Sequence, residues 1–206
     1  MKDKTLIVIS RHPGKQKKTF EDKLVKLLSG IDDGELLIIP HLYYLKNNFA
    51  VYEKLLPRDE VLFASWLYKR AAEWALKKEL NPGKEPAIIH FNLAELNTPQ
   101  KAAADIKKAL KTTVKGRTKI LDLSKTPVVE RWYPVIDHSR CNNCGECLEF
   151  CLFGVFSKNR KKVSVEDPGK CKPGCPACSR VCARGAIIFP HYFDDKKICG
   201  ADEGAK

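Results

Sequence analysis

Cys141-Asn142-Asn143-Cys144-Gly145-Glu146-Cys147-Leu148-Glu149-Phe150-Cys151 decides how this chain is read. The pattern returns as Cys171-Lys172-Pro173-Gly174-Cys175-Pro176-Ala177-Cys178-Ser179-Arg180-Val181-Cys182, with one residue more in its first gap. The flanks repeat too. Val135-x-Asp137-x3-Cys141 matches Val165-x-Asp167-x3-Cys171, with Arg140 and Lys170 just before each first cysteine. Downstream, Cys151-x2-Gly154-Val155 matches Cys182-x2-Gly185-Ala186. Eight of the nine cysteines lie in this window, Cys199 follows it, and the first 140 residues hold none. The chain changes character near residue 130 and reads as two parts.

The spacing has a chemical reason. Three closely spaced cysteines on one curled loop supply three corners of an iron–sulfur cubane, and a fourth at the next turn faces away toward a neighbouring cluster. Duplication about a pseudo-twofold suits two clusters that exchange ligands. Two alternatives stay open. Zinc sites with four thiolates usually pair two Cys-x2-Cys knuckles across a longer gap. A disulfide framework is disfavoured because the chain is long enough to bury a core without one. Four cysteines within 11 or 12 residues, twice over, fit a cubane better. Cys199, in a polar tail, reads as a spare thiol.

Over roughly residues 134–190 these motifs resemble a bacterial-type ferredoxin domain with two [4Fe-4S] clusters. The resemblance implies one cluster on Cys141, Cys144, Cys147 and Cys182, and a second on Cys171, Cys175, Cys178 and Cys151. It also implies a fold of two short hairpins and two short helices, and one-electron transfer as the usual role. The sequence departs from that family in two places. Leu152 and Ala183 replace the proline usual after each fourth cysteine, and Lys172-Pro173-Gly174 lengthens one gap. The longer loop is expected to alter amide hydrogen bonding to the second cluster and shift its potential. Cys144 and Cys175 are both present, so a three-iron form is not expected.

The first part, residues 1–123, alternates short apolar runs with helical periodicity. Leu6–Ile9, Leu36–Ile39, Val61–Ala64 and Ala87–Phe91 read as strands, with 119–123 as a fifth. Residues 16–29 place Phe20, Leu24, Leu27 and Leu28 on one helical face; further helices are expected from Trp66 to Leu80, before Asn81-Pro82-Gly83, and from Pro99 to Lys111. Strands apolar throughout, alternating with helices, predict an α/β fold: a mostly parallel open sheet flanked by helices, followed by the small ferredoxin-like α+β domain.

In such sheets ligands bind beyond the carboxyl ends of the strands. Those ends carry Ser10, Arg11 and His12, then His41, Tyr43 and Tyr44, then Ser65, Trp66, Tyr68 and Arg70, then His90 and Asn92. His12, His41, His90, Tyr68 and Arg70 are the candidate site residues of a small-molecule crevice, set against the plainer reading of polar loop ends. Arg11-His12-Pro13-Gly14-Lys15 is an anion-cradle candidate without either standard nucleotide-loop spacing.

Thirty-seven Lys and Arg face 25 Asp and Glu, for a formal net charge of +12. No helix-turn-helix, zinc-finger or aromatic-interleaved basic stripe accompanies that charge, so nucleic acid is not the expected partner. Arg140, Lys170, Lys172, Arg180 and Arg184 lie near the cysteines and suit a redox protein with an acidic surface. No apolar run has membrane-span or signal-peptide length, which gives a cytoplasmic expectation. Residues 124–133 read as a linker whose Arg131-Trp132-Tyr133, bracketed by Pro127 and Pro134, docks the two parts together; 191–206 reads as a tail. Two functions follow. One is an electron carrier whose α/β domain docks a partner. The other is an oxidoreductase with substrate or cofactor in the crevice, fed by the clusters. Convergence of the three histidines favours the enzyme.

Overall fold

The computed structural model describes residues 6–31, 34–45, 49–55, 58–77, 86–110, 118–126, 128 and 130–202. The expected helix stop at Asn81-Pro82-Gly83, the end of the helix at Lys111, and Pro127 lie outside the described residues. The chain divides into two compact units. One comprises residues 1–67 and 79–128, the other 68–78 and 129–206.

The first unit is built on five parallel strands. These are β1 (Leu6–Ser10), β2 (Glu35–Ile39), β3 (Glu60–Ser65), β4 (Ala87–Asn92) and β5 (Lys119–Asp122), in the order β4-β3-β1-β2-β5. Strands β1, β2 and β3 are buried on both faces, as their unbroken apolar runs require. Ile7, Ile9, Leu36, Ile38, Leu62 and Ala64 share one face, packed with Leu24 and Leu28 of α1 (Lys18–Leu28) and Ala102 and Ile106 of α4 (Pro99–Ala109). Thr98 caps α4 by accepting from the Lys101 amide at 3.2 Å, and Pro99 fills the first helical position, whose N–H needs no partner. The edges differ from the expectation of strands buried throughout. Every residue of β5 is exposed, and Lys119 and Asp122 put charge on that edge. A further helix, α2 (Phe49–Leu55), falls where no helix was read, because seven residues give too little periodicity to detect.

The consequential feature of the sheet is its order. Strand β1 pairs with β2 on one side and β3 on the other, so the chain crosses β1 in passing from β2 to β3. That makes the β1/β3 carboxyl end a topological switch point, where connecting loops part and leave a crevice.

The second unit begins with a helix borrowed from between β3 and β4. The helix expected from Trp66 to Leu80 is α3 (Lys69–Lys77), and it packs against the C-terminal residues. Its buried Ala71 lies so close to Gly200 that a Cβ there would come within 2.9 Å of it. The rest comprises α5 (Glu146–Phe150), α6 (Ala177–Val181), α7 (Lys196–Cys199) and two antiparallel pairs. Strand β7 (Phe156–Asn159) pairs with β8 (Lys162–Val165) as a hairpin, whereas β6 (Val135–Ile136) pairs with the distant β9 (Ile187–Ile188). The resemblance implies two short hairpins. One is local, and the other joins the beginning of the unit to its end.

The repeat explains that pairing. The Asp137 amide donates to Ala186 O at 2.8 Å, and the matching Asp167 amide donates to Val155 O at 3.1 Å. The entry of each half is thus bonded to the exit of the other. Trp132, read as an inter-domain aromatic, stacks on Phe189 with ring centres 5.2 Å apart and donates from Nε1 to Cys175 O at 3.1 Å. It belongs to this unit.

Cys199 is a correction. It is not a spare thiol in a polar tail but is 3% exposed, its Sγ donating to Pro190 O at 3.0 Å. Asp195 caps the Lys197 and Ile198 amides and starts the turn that carries Ile198 and Cys199 inward. Burial pushes its thiol up from 9.0 to about 12. A thiol raised by folding favours the fold below its unfolded pKa and loses that contribution as pH climbs toward 12. At pH 8 Cys199 is expected to alkylate at least about 100-fold more slowly in native than in unfolded protein, read by peptide mass mapping. Equal rates would contradict its burial.

Candidate metal centre

The first motif places its cysteines by alternating a curled loop with one helical turn. Asn143 and Gly145 take positive φ of 60° and 100°, which curls the loop on either side of Cys144. The Asn143 Oδ1 accepts from Val163 N at 3.0 Å and from the Cys141 thiol at 3.7 Å, tying the loop to the hairpin. Helix α5 then ends at Cys151 with φ −79° and ψ 106°, and α6 ends at Cys182 with φ −73° and ψ 99°. The two fourth cysteines therefore leave their helices in the same way. Gly154 and Gly185 follow each at φ +65° and +55°, the left-handed turn that glycine permits without strain. The extra residue of the second motif is absorbed by a turn. The Cys175 amide donates to Lys172 O at 3.1 Å, and Gly174 sits at φ +76°.

The thiols gather in two sets. Cys141, Cys144, Cys147 and Cys182 line one cavity, together with Ile136, Val163 and Arg184. Cys151, Cys171, Cys175 and Cys178 line another, walled by Pro134, Val155 and Phe156. Each cavity takes three cysteines from one motif and the fourth from the other. All nine cysteines are free thiols. Among the described residues no three or more His, Cys, Asp or Glu meet closely enough to hold a single metal ion. Each set surrounds a void instead of converging on a point.

Burial and then neighbouring sulfurs push up three of these thiols, Cys147, Cys171 and Cys178. Cys147 rises to about 11, mainly by burial and then beside Cys141, Cys182 and Cys144. Cys171 also rises to about 11, beside Cys175 and Cys151. Cys178, the most buried, is pushed highest, and its neighbours include Cys147 of the other set. The two sets are therefore adjacent. A donor set of four crowded thiols suits a cationic iron–sulfur core, whose charge converts them to thiolates.

The basic residues expected near the cysteines divide. Arg140 pairs with Asp137 at 3.5 Å and Asp202 at 3.2 Å, and Lys170 pairs with Asp167 at 2.8 Å. Arg180 donates to Tyr192 OH at 2.8 Å. Arg184 reaches the first cavity. Beside the second cavity the surface is apolar, with Phe150, Leu152 and Phe153 exposed by 49%, 93% and 43%.

At the switch point of the first unit, His12 and His41 stand with ring centres 6.3 Å apart, and His12 meets Trp66 edge-on at 6.0 Å. Burial lowers the His12 pKa, and its Nδ1 accepts from the Gly14 amide at 2.9 Å, which leaves the proton of the neutral ring on Nε2. His90 lies on β4. Its Nε2 bonds Ser65 Oγ at 2.9 Å, and its ring stacks on Phe63. Tyr68 and Arg70 lie in the second unit, where Arg70 is 6% exposed and donates to Gly185 O and Lys197 O. His12 and His41 thus come together.

Their anchor escaped the sequence reading. Glu21, 2% exposed on α1, accepts from the His12 amide at 2.6 Å, Trp66 Nε1 at 2.9 Å and Arg11 Nη1 at 3.2 Å. The available signal was a carboxylate three residues before Leu24, on the apolar face of its helix.

No family model matches the chain. Its C-terminal part is similar to an uncharacterized ferredoxin of Methanocaldococcus jannaschii, 47% identical over 68 residues. The match covers 32% of this chain and 44% of that protein, so the chain spans less than half of the curated relative it matches.

Removing the Glu21 carboxylate strands three donors at the switch point. Glu21→Ala is expected to cost about 3 kcal/mol of stability, and Glu21→Gln less because it keeps one acceptor oxygen. Denaturant unfolding of the whole protein measures both. A loss below about 1 kcal/mol for Glu21→Ala would contradict the anchoring role.

Proposed function

We propose that this protein is an iron–sulfur electron carrier holding two [4Fe-4S] clusters, one on Cys141, Cys144, Cys147 and Cys182, the other on Cys171, Cys175, Cys178 and Cys151. One observation carries the reading: two adjacent cavities, each lined by four thiols, three from one motif and one from the other. The likeness of the C-terminal part to a protein named a ferredoxin supports it. When bound, each cluster supplies a one-electron couple. The chain's own part is to hold thiolates at fixed corners and to wall them with apolar residues such as Val163, Val155 and Phe156. Such walls limit water and lower the local dielectric, both of which set the potential.

The carrier exchanges electrons with a redox protein. The exposed Phe150, Leu152 and Phe153 beside the second cavity support docking there, since apolar patches of this kind mark interaction sites. An acidic partner surface would meet the basic residues near the thiols. Among the described residues no helix is long and apolar enough to cross a membrane. Free thiols accord with work in the cytoplasm, where they stay reduced.

A second reading is favoured by His12, His41 and Trp66 at the β1/β3 switch point. There the α/β unit binds a small molecule that exchanges electrons with the clusters, which makes the protein an oxidoreductase. The engagement of His90 Nε2 by Ser65 Oγ weighs for the carrier.

Anaerobically purified protein is expected to contain about eight iron and eight acid-labile sulfide per chain, with an EPR signal split by two interacting spins after dithionite reduction. Two zinc ions without sulfide would sink the proposal.

A further inference from the structure

Arg70 lies far outside the cysteine motifs in sequence, yet its guanidinium is buried among the residues that shape the first thiol set. Its Nη1 donates to Gly185 O at 2.9 Å, its Nη2 donates to Lys197 O at 3.1 Å, and it faces Asp137 Oδ2 at 3.7 Å. Gly185 O and the Ala186 N–H are the two ends of one peptide group. That N–H donates to Cys182 Sγ at 3.4 Å. Arg70 therefore grips one end of the peptide whose other end bonds the sulfur. Asp137, 1% exposed, closes the arrangement. Its amide donates to Ala186 O at 2.8 Å, and its own carbonyl accepts from the Cys141 amide at 3.0 Å.

We propose that Arg70 is a positioning residue for the first thiol set, fixing the Ala186 N–H on Cys182 through the Gly185–Ala186 peptide and so raising the potential of the cluster held there. This rests on the two-cluster reading above. Two physical effects act in the same direction. A charged donor on the carbonyl polarises the peptide and strengthens its N–H as a donor, and N–H bonds to a cluster sulfur favour the reduced, more negative state. The buried guanidinium also offsets the Asp137 carboxylate, which without it would disfavour the added electron. Arg70 stands outside the repeat and grips the peptide that bonds Cys182, so the second set, on Cys151, Cys171, Cys175 and Cys178, is not expected to share its effect.

The test is a redox titration of holoprotein followed by EPR, with iron and sulfide measured on the same samples. In Arg70→Met, one of the two couples is expected to fall. At a fixed ambient potential near its midpoint, its reduced-to-oxidised ratio drops roughly tenfold, about 59 mV for one electron. The other couple stays in place. Arg70→Lys keeps the charge without the two-pronged grip and is expected to fall between Met and wild type. If the Met variant loses its iron, Arg70→Lys and Arg70→Gln are read by the same criterion, Gln showing the larger drop. Two couples that stay unmoved, or that move together, would overturn the proposal. Eight iron with unmoved couples would reject the role of Arg70 alone; zinc without sulfide in wild type would reject the reading it rests on.

Discussion

Three thiols on one short curled loop cannot close a four-cornered site, and the organisation of the second unit follows from that limit. The fourth thiol of each motif sits at the end of a one-turn helix, where the backbone has already turned away, so it completes the set of the other half. The halves must then interlock. Asp137 bonds Ala186, Asp167 bonds Val155, and the first and last strands of the unit pair across it. With so little regular structure, the unit depends on these crossings. Small domains usually need such a staple, because their core alone is too small.

The α3 segment adds a brace that the repeat does not contain. It leaves the sheet unit after β3, contributes Arg70, Ala71 and Trp74 to the cysteine-bearing unit, and returns to the sheet at β4. Arg70 holds the Gly185 carbonyl, Ala71 meets Gly200, and Trp74 packs edge-on against His138 at 5.7 Å. A segment whose apolar face is buried within the cysteine-bearing unit reads in sequence like any other helix of an α/β fold. Its periodicity reports that one face is buried, not against what.

The same distinction sets how much was legible beforehand. Strands β1 to β3 were plain in the sequence because burial on both faces leaves unbroken runs such as Leu6–Ile9. The helix at α4 was signalled by Pro99. The cysteine motifs were legible because ligand spacing is local chemistry, and the structure lines two cavities with four of those thiols each. What stayed hidden was long-range. The β6/β9 pairing joins residues about fifty apart, Arg70 lies more than a hundred from the carbonyl it holds, and Glu21 reaches Trp66 across 45 positions. Cys199 was misjudged because polar neighbours mask a single inward turn. Of the strand-end candidates, His12 and His41 meet, while His90 turns to Ser65 and Arg70 leaves for another unit.

The exchange of the fourth thiol is the central claim, and iron anomalous scattering from crystals grown without oxygen tests it most directly. The account predicts two adjacent iron clusters, one bonded to Cys141, Cys144, Cys147 and Cys182, and the other to Cys171, Cys175, Cys178 and Cys151. A cluster bonded to Cys141, Cys144, Cys147 and Cys151, each motif closing on itself, would contradict it.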